Sequence, residues 1–411
     1  MKILLAHNEY QQPGGEDVVF RQEVQLLSNF GHNVVKYVRT NHEINQYSSF
    51  RRLLLPKQMI WAEDTRRDIS RILQEEKPDI IHVHNTFTQT SPSIYAECRK
   101  AGVPVVQTLH NFRLLCPAAT FYRNGHVCDE CVTHSLWRSV MHGCYRNSRP
   151  DTAAVAAMLA THRQLHTWTT NINTYIALTE FARQKFICGG FPAEKLCVKS
   201  NFLAPDPGLG TQSGGYALFV GRLSPEKGLH TLLRAWSAFK ETIPLRIVGD
   251  GPLRVELENY AAQNSLSSVR FLGRLSREKT QEAIKGALSL LLPSECYENF
   301  PMTVAEAFAS GTPVICSRMG AMQEIVEHQH TGLHFDPGSS EHLADSVAWA
   351  WTHAARMRAM GMAARREYEL KYTAEKNHSL LMDIYQRAMR KPPVPNYEYE
   401  LQGVPARIVQ P

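Results

Sequence analysis

The chain opens on an apolar run, Ile3-Leu4-Leu5-Ala6, set between Lys2 and His7, which predicts a buried strand over residues 2–7. A loop over residues 8–16 carries Gly14-Gly15. Apolar residues then recur at helical spacing (Val18, Val19, Phe20, Val24, Leu26, Leu27) and stop at Gly31, a residue suited to ending a helix. The rhythm repeats with strand-like segments at 34–38, 79–84 and 103–109, separated by helical stretches such as 95–100. Strands alternating with helices predict a parallel sheet covered on both faces.

The pattern breaks at residues 205–215, a stretch rich in Pro, Gly and Ser whose one charge is Asp206, and then restarts. Segments 216–220, 245–248, 269–271, 289–292 and 312–317 read as strands of a second doubly wound domain. The expected organisation is therefore residues 1–204, residues 205–373, and a C-terminal piece, 374–411. In that piece a helix over 374–390 crosses back to the first domain and a Pro-rich tail follows. Two such domains would bind ligands in the crevice between them, at strand carboxyl ends and helix N-termini.

Composition agrees with this picture. The 411 residues are 43% hydrophobic and 20% charged, enough for two or three ordinary domains at about 150 residues each. The longest apolar runs, 153–160 and 287–293, fall well short of the roughly 18 residues that span a bilayer, and the N-terminal run is too short for a signal peptide. The expectation is a cytoplasmic chain. Lys and Arg outnumber Asp and Glu by 45 to 39 overall and by 23 to 17 within residues 1–200, so the surplus of six lies in the first half. This is either ordinary surface variation or a half that faces an anionic membrane or phosphorylated substrate. No basic block or basic-aromatic stripe of the nucleic-acid-binding kind is present.

Candidate chemistry concentrates in the second half. Gly221-Arg222-Leu223-Ser224-Pro225-Glu226-Lys227-Gly228 follows directly on a strand. A glycine there lets a ligand approach the backbone, and Arg222 and Lys227 place two cations at the next helix entrance, as a diphosphate requires. A solvated loop is the plainer alternative. Further on, Glu298 and Glu306 stand seven residues apart across Asn299-Phe300-Pro301-Met302-Thr303. Glu298 is expected in a loop before a helix, Pro301 in that helix's first turn and Glu306 about two turns inside. Carboxylates near a helix N-terminus also favour the macrodipole without any function.

This spacing resembles the E-x7-E element of the retaining family 4 nucleotide-sugar glycosyltransferases, which have the GT-B fold. Other motifs fall in the family's order: Gly14-Gly15, Ile81-His82-Val83-His84, Thr108-Leu109-His110, Phe219-Val220-Gly221-Arg222 with Lys227-Gly228, Ile247-Val248-Gly249-Asp250-Gly251-Pro252, and Ala309-Ser310-Gly311-Thr312-Pro313-Val314. The resemblance spans roughly residues 1–390 and implies roles one residue at a time. Arg222 and Lys227 hold the donor diphosphate, and Glu306 accepts hydrogen bonds from the ribose. Glu298 meets the donor sugar, with the backbone of Asn299, Phe300, Pro301, Met302 and Thr303 cradling sugar and β-phosphate. Gly273, Arg274 and Leu275 border the base, Gly14 and Gly15 approach the phosphates, and His110 faces the sugar from the opposite wall. It further implies transfer without a catalytic cofactor or metal from a nucleoside diphosphate sugar to a glycan or lipid-linked acceptor. The setting implied is bacterial-type polysaccharide or glycolipid assembly. An epimerase on the same fold and a non-catalytic nucleotide-sugar-binding partner are the alternatives.

Two further segments stand apart. Cys116, Cys128, Cys131 and Cys144 form a C-x11-C-x2-C-x12-C pattern, either a structural zinc site or four reduced thiols filling apolar gaps. Phe50-Arg51-Arg52-Leu53-Leu54-Leu55-Pro56-Lys57-Gln58-Met59-Ile60-Trp61 interleaves basic and large apolar residues, as at a membrane interface. It thus points to peripheral contact with the inner membrane face, or else to a helix whose apolar side joins the core.

Overall fold

The computed structural model describes residues 1–11, 14–239 and 242–390; the expected Pro-rich tail lies outside them. Eight strands precede residue 200: β1 Lys2–Glu9, β2 Asn33–Thr40, β3 Ile80–Val83, β4 Val105–Leu109, the two-residue strands β5 Tyr122–Arg123 and β6 His126–Val127, β7 Thr174–Ala177 and β8 Leu196–Val198. Six of them form one parallel sheet in the order β2-β1-β3-β4-β7-β8, and β5 and β6 make a separate antiparallel hairpin. The second half supplies β9 Ala217–Val220, β10 Leu245–Val248, β11 Val269–Gly273, β12 Ser289–Leu292, β13 Val314–Ser317 and β14 Gly332–Phe335. They form a second parallel sheet, β11-β10-β9-β12-β13-β14. The α/β reading of two doubly wound sheets is thus the observed fold.

The direction in which successive strands are added reverses between β1 and β3 in the first sheet and between β9 and β12 in the second, all strands staying parallel. Such switch points open a crevice at the strand carboxyl ends. Gly14-Gly15 leaves β1, and Gly221-Arg222 leaves β9, so both glycine loops sit at these openings. Five strands had no counterpart in the sequence reading: the two-residue β5 and β6, and the longer β7, β8 and β14. The last three are only three or four residues long, and β7 is buried at every position, so neither length nor alternation marks it. The segment 205–215 is tied to the second domain rather than free. Gly210, Gln212 and Gly214 donate backbone hydrogen bonds to the carbonyls of Ser310, Lys285 and Gly286, and Asp206 pairs with Arg365 at 2.6 Å.

The chain passes between domains twice, at adjacent points. Leu203 N–H donates to the Tyr372 carbonyl at 3.0 Å, and the Tyr368 hydroxyl donates to the Leu203 carbonyl at 3.2 Å. The helix Ala374–Arg390 then lies on the first sheet. It buries Leu381, Ile384, Tyr385 and Ala388 against Ile3, Leu5, Phe20, Leu27, Ile80, Val106 and Ile176. Among the described residues, no helix is long and apolar enough to cross a membrane.

Leu381 is fully buried in that contact. Leu381→Ala is expected to lower stability by about 3 kcal/mol, read as an earlier midpoint in urea denaturation. An unchanged midpoint would mean that the helix adds nothing to the first domain.

Candidate active site

The second domain's wall is built by close backbone approaches. Gly221 N–H donates to the Val248 carbonyl at 3.0 Å, and Leu223 N–H to the Asp250 carbonyl at 3.0 Å, so the loops after β9 and β10 are stitched together. Gly249 has φ +134°, and a Cβ there would strike the Gly221 carbonyl; only glycine meets both conditions. Gly228, at φ +66°, sits against the Pro293 carbonyl in the same way and opens the helix Leu229–Trp236. These contacts carry Lys227 to Glu298: Nζ stands 2.5 Å from Oε1, which also accepts from the Ser294 hydroxyl at 2.6 Å. Burial alone would raise the Glu298 carboxyl, but the Lys227 ammonium holds it below its usual range. Burial likewise pulls Lys227 down, and Glu298 more than reverses this. Arg222 is exposed and has no side-chain partner among the described residues.

Pro301 caps the helix Met302–Ala309 from outside rather than lying in its first turn. Glu306 is the fifth residue of that helix, little more than one turn inside, which corrects the expected two turns. Its carboxyl is half-buried and has no hydrogen-bond partner among the described residues. Burial pushes it up to about 7, with Arg277 partly offsetting. The Phe300 ring faces away, packed edge-on against Tyr372 with centroids 5.3 Å apart, so only its backbone is free to line the site. At the end of β11 the Gly273 carbonyl accepts from Gly249 N–H at 2.8 Å. Arg274 is exposed, 3.9 Å from Asp250, and Leu275, like Met302, packs partly buried against the second domain's core.

Across the cleft, Gly14 and Gly15 lead into the helix Gly15–Asn29. Gly14 N–H donates to Asp17 Oδ2 at 2.6 Å, and Asp17 Oδ1 lies 2.8 Å from His7 Nε2. Burial opposes ionisation of Asp17, but His7 and the Gly14 amide keep it below its usual value. Glu16, beside it, is pushed by burial to about 7. His110 follows β4, with Nε2 2.9 Å from His84 Nδ1; burial first, then the neighbouring His84, hold it well below the ordinary imidazole range. The walls meet where Asn299 Nδ2 donates to the Leu109 carbonyl at 2.6 Å. A Cβ on Gly15 would come within 3.9 Å of Met302 Cγ. Gly15, His110, Lys227, Glu298 and Asn299 are thus brought together.

Several buried groups escaped the sequence reading: His7, Asp17, Glu23, Ser294 and Lys199. The pair His82 and His84 was visible as a motif, and the strand period of two places both rings on one face. The partners from distant segments were not visible.

The four clustered cysteines share a neighbourhood. Burial, and then the nearness of the other three sulfurs, pushes Cys131 up to about 12. Tetrahedral zinc with bonds of about 2.3 Å needs sulfurs about 3.8 Å apart. Among the described residues, the group of at least three His, Cys, Asp or Glu ligand atoms gathered within 4.8 Å is Glu23, His82 and His84; the cysteines form no such group. Cys116, Cys128, Cys131 and Cys144 are therefore neighbours whose sulfurs, as they stand, are not gathered to coordination distance.

Two family profiles cover most of the chain. Residues 14–201 match the glycosyl transferase 4-like domain, and residues 211–367 match glycosyl transferases group 1. A GDP-mannose-dependent alpha-mannosyltransferase of Mycolicibacterium smegmatis is 30% identical over 300 residues, 72% of this chain and 70% of that protein. The D-rhamnosyltransferase WbpZ of Pseudomonas aeruginosa is 33% identical over 161 residues, 39% of this chain. That alignment covers only 42% of WbpZ, and this chain spans about a third to a half of the length of several such relatives. Among solved structures, a sucrose-phosphate synthase from Thermosynechococcus elongatus superimposes with a TM-score of 0.72 at 17% identity, covering 94% of this chain and 98% of that one. The facing sheets and glycine-built cleft are those of a GT-B protein. The chain belongs to the family 4-like glycosyltransferases.

Lys227→Met leaves Glu298 buried without its cation. For a fully buried pair the loss is roughly 3–5 kcal/mol; because Lys227 keeps 25% exposure, about 2 kcal/mol is expected. The Glu298 carboxyl is depressed in the folded state, so its stabilising share is present above its unfolded value and lost as pH falls. Urea midpoints measured from pH 7 down to 4 should therefore fall less steeply in the variant than in the wild type. Equal slopes would deny the pair its energetic role.

Proposed function

We propose that this protein transfers a sugar, with retention at the anomeric carbon, from a nucleoside diphosphate sugar to a glycan or lipid-linked acceptor in polysaccharide or glycolipid assembly. The observation that carries the reading is the cation pair at the glycine-lined mouth of the second sheet: Arg222 free and exposed, Lys227 held against Glu298, and the unpartnered Glu306 carboxyl nearby. A diphosphate lying on the Gly221–Gly228 loop would satisfy Arg222 and Lys227, whose charges stabilise the leaving group as the glycosidic bond breaks. Glu306 would receive the ribose hydroxyls. Glu298 would orient the sugar beside the Asn299–Thr303 backbone, with Gly273, Arg274 and Leu275 beside the base and Gly14, Gly15 and His110 on the opposite wall. The acceptor oxygen bonds to the anomeric carbon on the face the diphosphate leaves, and its proton passes to the departing phosphate oxygen. Two cations and aligned amides supply the charge stabilisation this needs without a metal. The GDP-mannose dependence of the mycobacterial relative supports a nucleotide-linked donor.

The acceptor-side domain also carries a surface suited to an anionic membrane face. Two short helices, Ser49–Leu53 and Leu55–Ile60, leave Phe50 72% and Leu53 76% exposed, with Leu54 and Trp61 also outward. Arg51, Arg52 and Lys57 lie among them and no acidic residue does. Cytoplasmic residence with peripheral attachment at the inner membrane face follows from this reading.

With a panel of nucleoside diphosphate sugars, one donor should give slow release of nucleoside diphosphate that an acceptor extract accelerates. Because burial places the Glu306 carboxyl near 7, donor KM should fall as pH rises through that value and the carboxylate forms. Glu306→Gln should raise donor KM about tenfold, the effect of roughly 1.4 kcal/mol, and remove this pH dependence. A wild-type donor KM flat from pH 6 to 8 would contradict the assigned role.

Sedimentation with phosphatidylglycerol-containing vesicles should show binding that phosphatidylcholine alone does not. At about 1 kcal/mol per basic residue, Arg51→Glu with Arg52→Glu should weaken it tenfold or more. Equal binding by the double variant would exclude the patch.

A further inference from the structure

Behind His110 lies a line of buried polar groups that the roles above leave unused. Glu23, on the helix Gly15–Asn29, and His82 and His84, on β3, are buried to within 3% exposure. Glu23 Oε1 stands 2.8 Å from His82 Nδ1 and 3.5 Å from His84 Nε2. Its other oxygen lies 3.4 Å from Lys199 Nζ, which donates to Asn377 Oδ1 at 3.0 Å. His82 is also within 2.8 Å of the Tyr385 and Thr108 hydroxyls. These three side chains are compact enough to suggest a metal ion, but the Lys199 ammonium already supplies the positive charge beside Glu23 and repels a second cation.

The protons in this line have one consistent arrangement. His84 Nε2 makes no hydrogen bond among the described residues, but its nearest polar neighbour is the Glu23 carboxylate at 3.5 Å, which has nothing to donate and would repel a lone pair on that nitrogen while attracting an N–H. His84 therefore carries its proton on Nε2 and offers Nδ1 as an acceptor. His110 Nε2, 2.9 Å from that nitrogen, must then be a donor. With one proton on the neutral ring, His110 Nδ1 is left as a lone pair, and it has no hydrogen bond among the described residues. His110 adjoins Leu109, whose carbonyl receives Asn299 from the other domain, so the unpaired nitrogen belongs to a residue at the domain junction.

We infer that Glu23 and His84 are positioning residues that fix His110 as the neutral Nε2–H tautomer, making its Nδ1 an acceptor for a hydroxyl of the bound sugar. The sugar contact rests on the function proposed above; the tautomer does not. The groups around the line are His7, His82, Glu16, Glu23, Lys199 and Tyr385. Burial, with the like-charged histidines beside it, holds His84 down near 3. His84 and His110 thus stay neutral through the physiological range, and His110 acts as an acceptor rather than an acid.

The test is long-range proton–nitrogen correlation on protein with nitrogen-15-labelled histidine, with His110 assigned by the signal lost in His110→Ala. The wild type should show His110 protonated on Nε2 alone, unchanged from pH 6 to 8. His84→Ala should yield a tautomer mixture or a titrating ring, and His84→Asn, whose side-chain oxygen can take the place of Nδ1, should restore the single form. Urea midpoints for both variants separate this from unfolding. An Nδ1–H or mixed His110 in the wild type, or an unaltered one in a folded His84→Ala, overturns the inference. His84→Ala should also lower kcat/KM for transfer about tenfold while nucleoside diphosphate Kd stays within twofold. A confirmed tautomer with unchanged transfer would refute the sugar contact and leave the relay standing.

Discussion

A parallel sheet buried on both faces has only its strand ends with which to meet a ligand, and both halves of this protein are built under that constraint. Gly14-Gly15 leaves β1, His110 leaves β4, Gly221-Arg222 leaves β9 and Glu298 lies beyond β12, so residues scattered over some 290 positions share one cleft. The contact from Asn299 to the Leu109 carbonyl joins the two carboxyl edges directly. Within this frame, Gly228 and Gly249 are shape requirements. A methyl group at either would push the loop that presents Arg222 and Lys227 away from its neighbour.

The cleft sorts its carboxylates by the company they keep. Glu298 has Lys227, Glu23 has Lys199, and Asp17 has His7 and an amide; the first three are held in the charged form despite burial. Glu306 and Glu16 have no such cation within bonding reach, and burial lifts both to about 7. In the proposed donor site, Glu298 would spare Lys227 the cost of an unpaired buried cation before the diphosphate arrives, and the exposed Arg222 would meet the ligand directly. Glu16, close to Gly15 and lifted by burial to about 7, would repel an anion less than a fully ionised carboxylate.

Much of this was legible in the sequence because it rests on local pattern. The alternation of strands and helices, the glycine loops and the spacing of Glu298 and Glu306 all come from short segments with a fixed period. What escaped depends on separation along the chain. Short, wholly buried strands such as β7 lack alternation. The distance of Glu306 into its helix was misjudged because Pro301 proved to be the cap, which moved the helix start by one turn-defining residue. Glu23 reads as an unexceptional helix position, and nothing near it in sequence announces Lys199.

The helix Ala374–Arg390 shows how far that non-local dependence reaches. Its apolar face covers part of the first sheet, while Tyr385 and Asn377 supply hydrogen-bonding groups to His82 and Lys199. Without it, apolar residues of β1 and β3 would face water, and the Glu23–Lys199 pair would lose the amide that satisfies one of its donors. An unsatisfied buried polar group costs about 1–3 kcal/mol, more when charged. The first domain is therefore completed by a segment that follows the whole second domain. Because the two crossings lie side by side at Leu203 and Tyr372, the covering helix and the covered sheet stay together whatever the second domain does. The polar line behind His110 therefore belongs wholly to the first domain, which the second domain meets through contacts such as Asn299 on the Leu109 carbonyl and Glu324 on the Glu180 and Phe181 amides.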